Sequence, residues 1–399
     1  MPQSLIIPRR QFIGSAALTV AGLTLPACSA NNPRPRPALL VRPNRCLPPV
    51  RVSRGRVIRE VVGLRPFRDA GFVVRVEALS DKKLVHNYGH GGAGITLSWG
   101  TSKLATQFGL QGHQGPVAVL GSGIIGLTTA RLVQEAGFPV IIYAKALPPE
   151  TTSNVAGGQW LPTSYYDHGA TTPEWRTQND LAIAYSYRRF QIMVGEEYGV
   201  RWLTQYFEVP PPPTNLPAGV TVTIPTTGSP TQPDWRMLQP GEHPFPFGRV
   251  RQHQLMMIEP GRLLRKLMEE IQVAGGKITV RSFASRTDVA ALPEKLIFNC
   301  TGLGARELFG DESLYPIRGQ LVMLLPQREV DYALAFQHAG GGYMFPRPDG
   351  IVLGGTYERN SWSLEPDPAT TDRLIEQHQQ VFDHFRCSPP VGANGAQAP

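Results

Sequence analysis

Long apolar runs, metal-ligand spacings and the periodicity of a repeat protein are all missing from this chain. The apolar stretch Phe12 to Leu25 is too short to span a bilayer, so no transmembrane helix is expected from it. The four cysteines, Cys28, Cys46, Cys300 and Cys387, and the nine histidines show no spacing that would hold a metal. Acid is scarce at the start: residues 1–60 hold ten of the 39 basic side chains but one of the 31 acidic ones, leaving 29 basic against 30 acidic elsewhere. The net charge of +8 therefore belongs to a leader and an arm, and no nucleic-acid partner is expected. What is present is ample apolar material, 41% of 399 residues, enough for two interleaved domains and inconsistent with a disordered chain.

The leader has a recognisable order. Arg9-Arg10-Gln11-Phe12-Ile13 is a twin-arginine pair running into the apolar stretch, an export signal over residues 1–28. Leu25-Pro26-Ala27-Cys28 resembles a bacterial lipoprotein cleavage box, so Cys28 is a candidate lipid anchor, with plain cleavage as the alternative and Pro26 as an atypical occupant. A periplasmic or cell-envelope protein is the expectation, and export of an already folded chain suits one that loads a cofactor first. Residues 29–52 follow as a linker rich in Pro and Arg.

Further on, Val117-Ala118-Val119-Leu120 reads as a short strand, GSGIIG as a turn, Leu127 to Gly137 as a helix and Pro139 to Tyr143 as a second strand. In this βαβ unit Gly121 permits the tight turn, Gly123 lets a pyrophosphate approach the backbone, and Gly126 lets helix pack on strand. Together with Ile124 and Ile125 they form a candidate phosphate cradle at a helix N-terminus. The fingerprint expects an acid about 20 residues on to hold a ribose hydroxyl. That place reads Tyr143-Ala144-Lys145, without a carboxylate, and Lys145 would suit a 2′-phosphate, so NADP stays beside FAD as a rival cofactor.

Several further segments bear on that choice. Thr151-Thr152-Ser153-Asn154-Val155-Ala156-Gly157-Gly158-Gln159-Trp160, Phe298 to Ala305, Ile317-Arg318-Gly319-Gln320, Gly342 to Pro348 leading to Gly354-Gly355-Thr356-Tyr357, Gly63 to Arg68, and HNYGHGGAGITLSWG from His86 to Gly100 together resemble the D-amino-acid oxidases. The resemblance implies FAD, a D-amino acid and oxygen as partners, and oxidative deamination to a 2-oxo acid, ammonia and hydrogen peroxide. It also implies site residues. Arg65 would clamp the substrate carboxylate with its planar fork, Tyr343 would support that carboxylate, and the Gly92 carbonyl would accept the amino group. Gly91, Gly94, Ile95 and Thr96 would contact FAD at the start of a helix whose positive end faces the flavin, as would Lys145, Thr151, Thr152, Gly157, Gly158, Gln159 and Trp160. Arg68 and Arg75 are available for surface pairing, and His86 and His90 look structural. The chain has Ala339 where some members carry a lid tyrosine and Leu161 where mammalian forms carry glutamine, and Gly340-Gly341-Gly342 suggests a mobile or open entrance. Alternatives are a related flavin oxidase or dehydrogenase acting on glycine or N-methyl amino acids, and a non-catalytic anchored flavoprotein.

The order of these motifs is reversed relative to that family: His86–Gly100 precedes Gly121–Gly126 instead of following it. The expected fold is accordingly α/β, a Rossmann-like FAD domain interleaved with an antiparallel-sheet substrate domain, circularly permuted. Residues 53–110, 115–165 and 257–311 are assigned to the FAD domain and 166–256 and 312–370 to the substrate domain, with a helix over 371–385 and a disordered tail over 386–399. The long Pro-rich passages Pro210–Pro217 and Ile224–Phe247 read as loops. A short joint from Leu110 to Gly115 would replace the ancestral ends. Arg45 to Val50 and Arg386 to Val391 differ at one position of six, as a trimmed duplication would leave them, and bring Cys46 and Cys387 into consideration as a disulfide. Cys300 reads as a buried thiol.

Overall fold

The chain is described by a computed structural model at residues 46–211, 231 and 234–386. It opens with β1 (Val57–Phe67), the hairpin β2 (Val73–Leu79) and β3 (Lys82–Tyr88), a 3-10 turn at Gly91–Ala93, and α1 (Gly94–Leu110). β4 (Val117–Leu120), α2 (Ile124–Glu135) and β5 (Val140–Ala144) follow, then α3 (Thr152–Val155), α4 (Pro173–Ile192), β6 (Val200–Val209), β7 (Trp235–Leu238) and β8 (Arg249–Ile258). Next come α5 (Pro260–Val273), β9 (Lys277–Val280), α6 (Arg286–Ala290), β10 (Leu296–Asn299) and α7 (Gly304–Phe309). The last elements are β11 (Tyr315–Leu324), β12 (Tyr332–Phe336), β13 (Gly342–Arg347), β14 (Gly350–Gly354), β15 (Glu358–Arg359) and α8 (Pro368–Phe382).

The strands form two sheets, as the mixed α/β expectation requires. One runs β2-β3-β10-β4-β5-β9 and is parallel except for β2. The other runs β1-β11-β14-β13-β12-β6-β8-β7, with β15 on β11, and is antiparallel except between β12 and β6. The centre of the parallel sheet is buried on both faces: all four residues of β4 and of β10 are inaccessible, and all but Asn299 are apolar, as expected of covered parallel strands. α5 shows why a helix lies on it. Its buried Leu263, Leu264, Leu267 and Ile271 recur at helical spacing, each contributing about 1.5–3 kcal/mol on burial. α1 is buried nearly all round, and a polar seam joins it to α2, where Ser102 Oγ lies 2.9 Å from Thr128 Oγ1 and 2.8 Å from Thr129 Oγ1. Thr128 Oγ1 also donates to the Ser98 carbonyl at 3.2 Å. The seam locks the helix that follows His86–Gly91 against the helix that follows Gly121–Gly123.

Several boundaries differ from the expectation. β1 belongs to the antiparallel sheet and not to the parallel one, because Val57 to Phe67 pairs along its length with Leu324 to Tyr315 of β11. The end of the linker is packed: Leu47, Val50 and Val52 join the apolar cluster of Tyr332, Leu374 and Phe382, and Tyr332 Oη donates to the Pro48 carbonyl at 2.9 Å. Within the passage assigned as loop, Trp235–Leu238 pairs with β8, and Phe245 and Phe247 are core residues. The last helix starts at Pro368, where Asp367 caps the Thr370 amide and proline suits the first turn. α1 and β4 are joined by a short turn in which the His113 amide bonds the Leu110 carbonyl at 3.0 Å. The export signal, Cys28, Cys387 and the assigned tail beyond Arg386 lie outside the described residues. Cys46 is disulfide-bonded and Cys300 is a free, buried thiol.

Candidate active site

One stretch, residues 151–165, meets nearly every motif singled out in the sequence. Ser153 Oγ accepts from the Ile124 amide at 3.0 Å, which ties the stretch to the start of α2. Val155 packs against Gly63 of β1, and Gly157 leaves room for the Phe345 and Tyr343 rings. Gly158, in left-handed backbone at φ 95°, passes so close to β8 that a Cβ would stand 2.0 Å from the Ile258 carbonyl oxygen, so its glycine is required by the fold itself. Gln159 Nε2 donates to Gln205 Oε1 at 3.0 Å, and the Trp160 amide to the Met256 carbonyl at 2.9 Å. Thr96 Oγ1 bonds both the amide and the carbonyl of Leu161 at 3.2 Å, and the Gly92 amide bonds the Ser164 carbonyl at 2.8 Å. The starts of α1 and α2, the GLRP strand and the Tyr343 strand therefore converge on one segment. Lys145 is exposed just beyond β5, while the Thr151 hydroxyl at the start of the stretch donates to Asn154 Oδ1 at 2.8 Å.

Both helix starts have the chemistry of an anion cradle. α1 and α2 begin without a side-chain cap and without an acid in the first turn. Apart from the Ile124 amide, which Ser153 Oγ accepts, the first amides at the positive end of each helix have no side-chain acceptor. Gly126 is forced: a Cβ there would stand 2.0 Å from the Gly121 carbonyl oxygen.

On the antiparallel sheet, Arg65 extends over Gly319. Its Nη1 donates to the Thr356 carbonyl at 3.1 Å, and the guanidinium lies beside the Tyr343 hydroxyl. Burial pushes the Tyr343 phenol up and the Arg65 cation works against that shift, so the hydroxyl keeps its proton. Tyr343 stacks on Phe345 with centroids 4.7 Å apart and lies across Gly354, where a Cβ would meet its ring at 2.2 Å. Neighbouring arginines are spent on the fold: Arg68 pairs with Asp311 at 2.9 Å and Arg75 with Glu77 at 3.6 Å. Arg65 has no carboxylate partner among the described residues. The histidines of the His86–Gly100 motif are internal. His86 Nε2 meets Glu77 Oε2 at 3.0 Å and its Nδ1 meets Asn299 Nδ2 at 3.0 Å, while His90 bonds Thr101 Oγ1 at 2.9 Å and burial pushes it down to about 3. The turn before the glycine run is held by Glu208, whose Oε2 accepts from the Gln337 and His338 amides at 2.6 and 2.7 Å.

The family model of FAD-dependent oxidoreductases (DAO) matches residues 11–108 and 116–394. The chain belongs to the DAO family of FAD-dependent oxidoreductases. It is 30% identical over 281 residues to a D-amino-acid oxidase of Rubrobacter xylanophilus, covering 67% of this chain and 77% of that protein. It is 30% identical over 275 residues to a D-amino-acid oxidase of Streptomyces coelicolor, covering 66% and 77%. Among solved structures, glycine oxidase from Geobacillus kaustophilus shares the fold at a TM-score of 0.50 and 13% identity, over 69% of this chain and 81% of that one.

FAD is thus the cofactor of this DAO-family chain, and the rival NADP reading lapses. The uncapped starts of α1 and α2, set around one shared segment, fit an elongated cofactor with an anionic middle. Sequence reasoning missed Ser153 as the tie to α2, Gln205 as the partner of Gln159, and His378. The last is buried, with Nε2 3.1 Å from the Tyr343 carbonyl oxygen and Nδ1 2.7 Å from that of Leu374. Each acts from a residue remote in sequence, and no local pattern marks it.

Proposed function

We propose that this oxidoreductase deaminates D-amino acids, converting substrate, water and oxygen to a 2-oxo acid, ammonia and hydrogen peroxide. The observation that carries the reading is Arg65, a cation without a carboxylate partner among the described residues, set beside the Tyr343 hydroxyl where residues 157–159 cross the sheet. The names of the relatives support it. When bound, FAD supplies a two-electron acceptor for the α-hydrogen and returns the electrons to oxygen.

The chain's own work is positioning. Arg65 makes two parallel bonds to the α-carboxylate, the protonated Tyr343 hydroxyl donates a third, and the Gly92 carbonyl accepts from the neutral amino group. Amides of Ile125, Gly126 and Ile124, the last shared with Ser153 Oγ, together with Gly121 and Gly123, would hold the pyrophosphate. Lys145, Thr151 and Thr152 serve the nucleotide end. Gly157, Gly158, Gln159, Trp160, Gly91, Gly94, Ile95 and Thr96 would line the flavin, and the positive end of α1 would favour negative charge there. Anaerobic mixing with D- and L-amino acids, glycine and N-methyl glycine tests the reading. Bleaching of the flavin by D-isomers is expected; bleaching by glycine or N-methyl glycine alone, or by none, overturns it. Arg65→Ala should lower kcat/KM by about 3–5 kcal/mol, the cost of breaking a buried charge pair.

Two further proposals concern the chain's arrangement. The family match breaks between α1 and β4, and Leu47, Val52 and Phe385 pack on one cluster, which supports a permuted order with its ends at that seam. A chain rejoined there and opened at Gly112–Gly115 should bind FAD and turn over; an insoluble or FAD-free product counts against it. The leader supports twin-arginine export with Cys28 as a lipid anchor. Cell fractionation finding the protein only in the cytoplasm would end that proposal.

A further inference from the structure

A row of opposed residues crosses the antiparallel sheet from the Tyr343 strand. Tyr343 stands opposite Ala335, Ala335 opposite Phe207, and Phe207 opposite Arg251. Opposed residues share a face of a sheet. Tyr343, Phe345, Leu203, Leu255 and Met257 pack together on this face, whereas Tyr206, Val250, Leu334 and Met344 pack on the other. Arg251 is therefore on the wall that carries Tyr343, and one row further in lies Gln205, the partner of Gln159.

Arg251 lies with its guanidinium 5.2 Å from the Phe207 ring centroid, on the side of its strand that faces Tyr343 across the sheet. Its Nε is buried without a hydrogen-bond partner, and among the described residues no carboxylate pairs with it. Burial lowers its pKa, and burial with the Arg251 charge pushes His253, the next residue on this face, down to about 4, so of the two it is Arg251 that is charged at neutral pH. A partly buried guanidinium left without an anion is costly, and a ligand carboxylate would compensate it.

The spacing limits that ligand. From Arg251 on β8 to Tyr343 on β13 is three strand spacings, about 14 Å, and an arginine side chain turned toward Phe207 spans one of them, which leaves about 10 Å. Two charge-assisted bonds of about 2.8 Å leave roughly 4 Å between the carboxylates they hold. That is the span of a four- or five-carbon amino dicarboxylic acid, and Ala335, the smallest residue of the row, leaves the floor between them open. We propose that Arg251 is a specificity-determining second clamp, selecting D-amino acids with a side-chain carboxylate. The inference rests on Arg65 and Tyr343 holding the α-carboxylate.

D-aspartate against D-asparagine, and D-glutamate against D-glutamine, test it in the unaltered holoenzyme. The acid of at least one pair should exceed its amide in kcat/KM by about 30-fold, as a hydrogen bond to a charged group allows. In Arg251→Met that ratio should fall to near one, with Arg251→Lys keeping part of it. Ratios near one in the unaltered enzyme, while neutral D-amino acids turn over, overturn the clamp and leave the deaminase reading standing. Should no D-amino acid bleach the flavin, the deaminase reading fails, and binding still decides the clamp through perturbation of the flavin spectrum. Succinate binding more tightly than succinamate, with the difference lost in Arg251→Met, supports it; equal binding refutes it.

Discussion

Gly319→Ala tests the placement of Arg65 without touching Arg65. Gly319 faces Gly63 across β1 and β11, and the Arg65 side chain crosses it: an added Cβ would lie 2.4 Å from Nη2 and 2.6 Å from Cζ and Nη1. Ordinary contact begins near 3.4 Å, so the guanidinium must retreat by about 1 Å. The atoms met are the free end of a flexible side chain, and the fold should lose only about 1 kcal/mol, the low end of overpacking costs. Geometry is less forgiving. A displacement of about 1 Å in a substrate-positioning group costs about 100-fold, or about 2.7 kcal/mol in the barrier. The expected variant therefore folds, shows a full flavin spectrum, and loses about 100-fold in kcat/KM toward its best D-amino acid, much of it through KM. Adding Gly319→Ala to Arg65→Ala should cost almost nothing more, since both act through one side chain. Steady-state kinetics within threefold of the unaltered enzyme, or losses that add in the double variant, would refute the reasoning.

Other outcomes follow from the same contacts. Gly126→Ala places a Cβ 2.0 Å from the Gly121 carbonyl oxygen, a backbone clash no rotamer relieves; it should cost about 3 kcal/mol and yield protein without flavin absorbance. Burial pushes His90 down to about 3 and also lowers His378, so both are neutral in the fold and take up protons on unfolding. Their stabilisation is complete above the unfolded histidine value of about 6.5 and is lost as pH falls toward the folded values, at up to about 1.4 kcal/mol per group per pH unit. Thermal unfolding of the holoenzyme between pH 7.5 and about 5 should show that decline, and His90→Gln should flatten it; a flat profile in the unaltered protein contradicts the assignment. Cys300 is buried and its thiol is pushed up to about 12, so mass mapping after alkylation at neutral pH should find it unmodified until the chain unfolds.

The parts of the site legible in the sequence are those where backbone geometry dictates residue type. Gly121 and Gly126 touch through the backbone, so the turn announces itself in the letters, and the helix after it follows from local spacing. β1 was legible as a segment but not as a member of its sheet. Its partner β11 lies about 250 residues away, Arg65 opposite Ile317, and no local pattern encodes a pairing of that range. The contact of Glu208 with the turn before the glycine run at 340–342 is hidden for the same reason, since Glu208 lies far along the chain. Arg251 carries no motif at all and gains meaning only from its register with Tyr343. The pattern has a physical consequence for this site. Residues 151–165 bond or pack against α1, α2, β1, β6, β8 and β13, and each of those contacts is local in space while remote in sequence. None of them depends on the order in which the pieces are connected. A joint between α1 and β4 therefore alters the loop-closure entropy of folding without altering the interactions that shape the site.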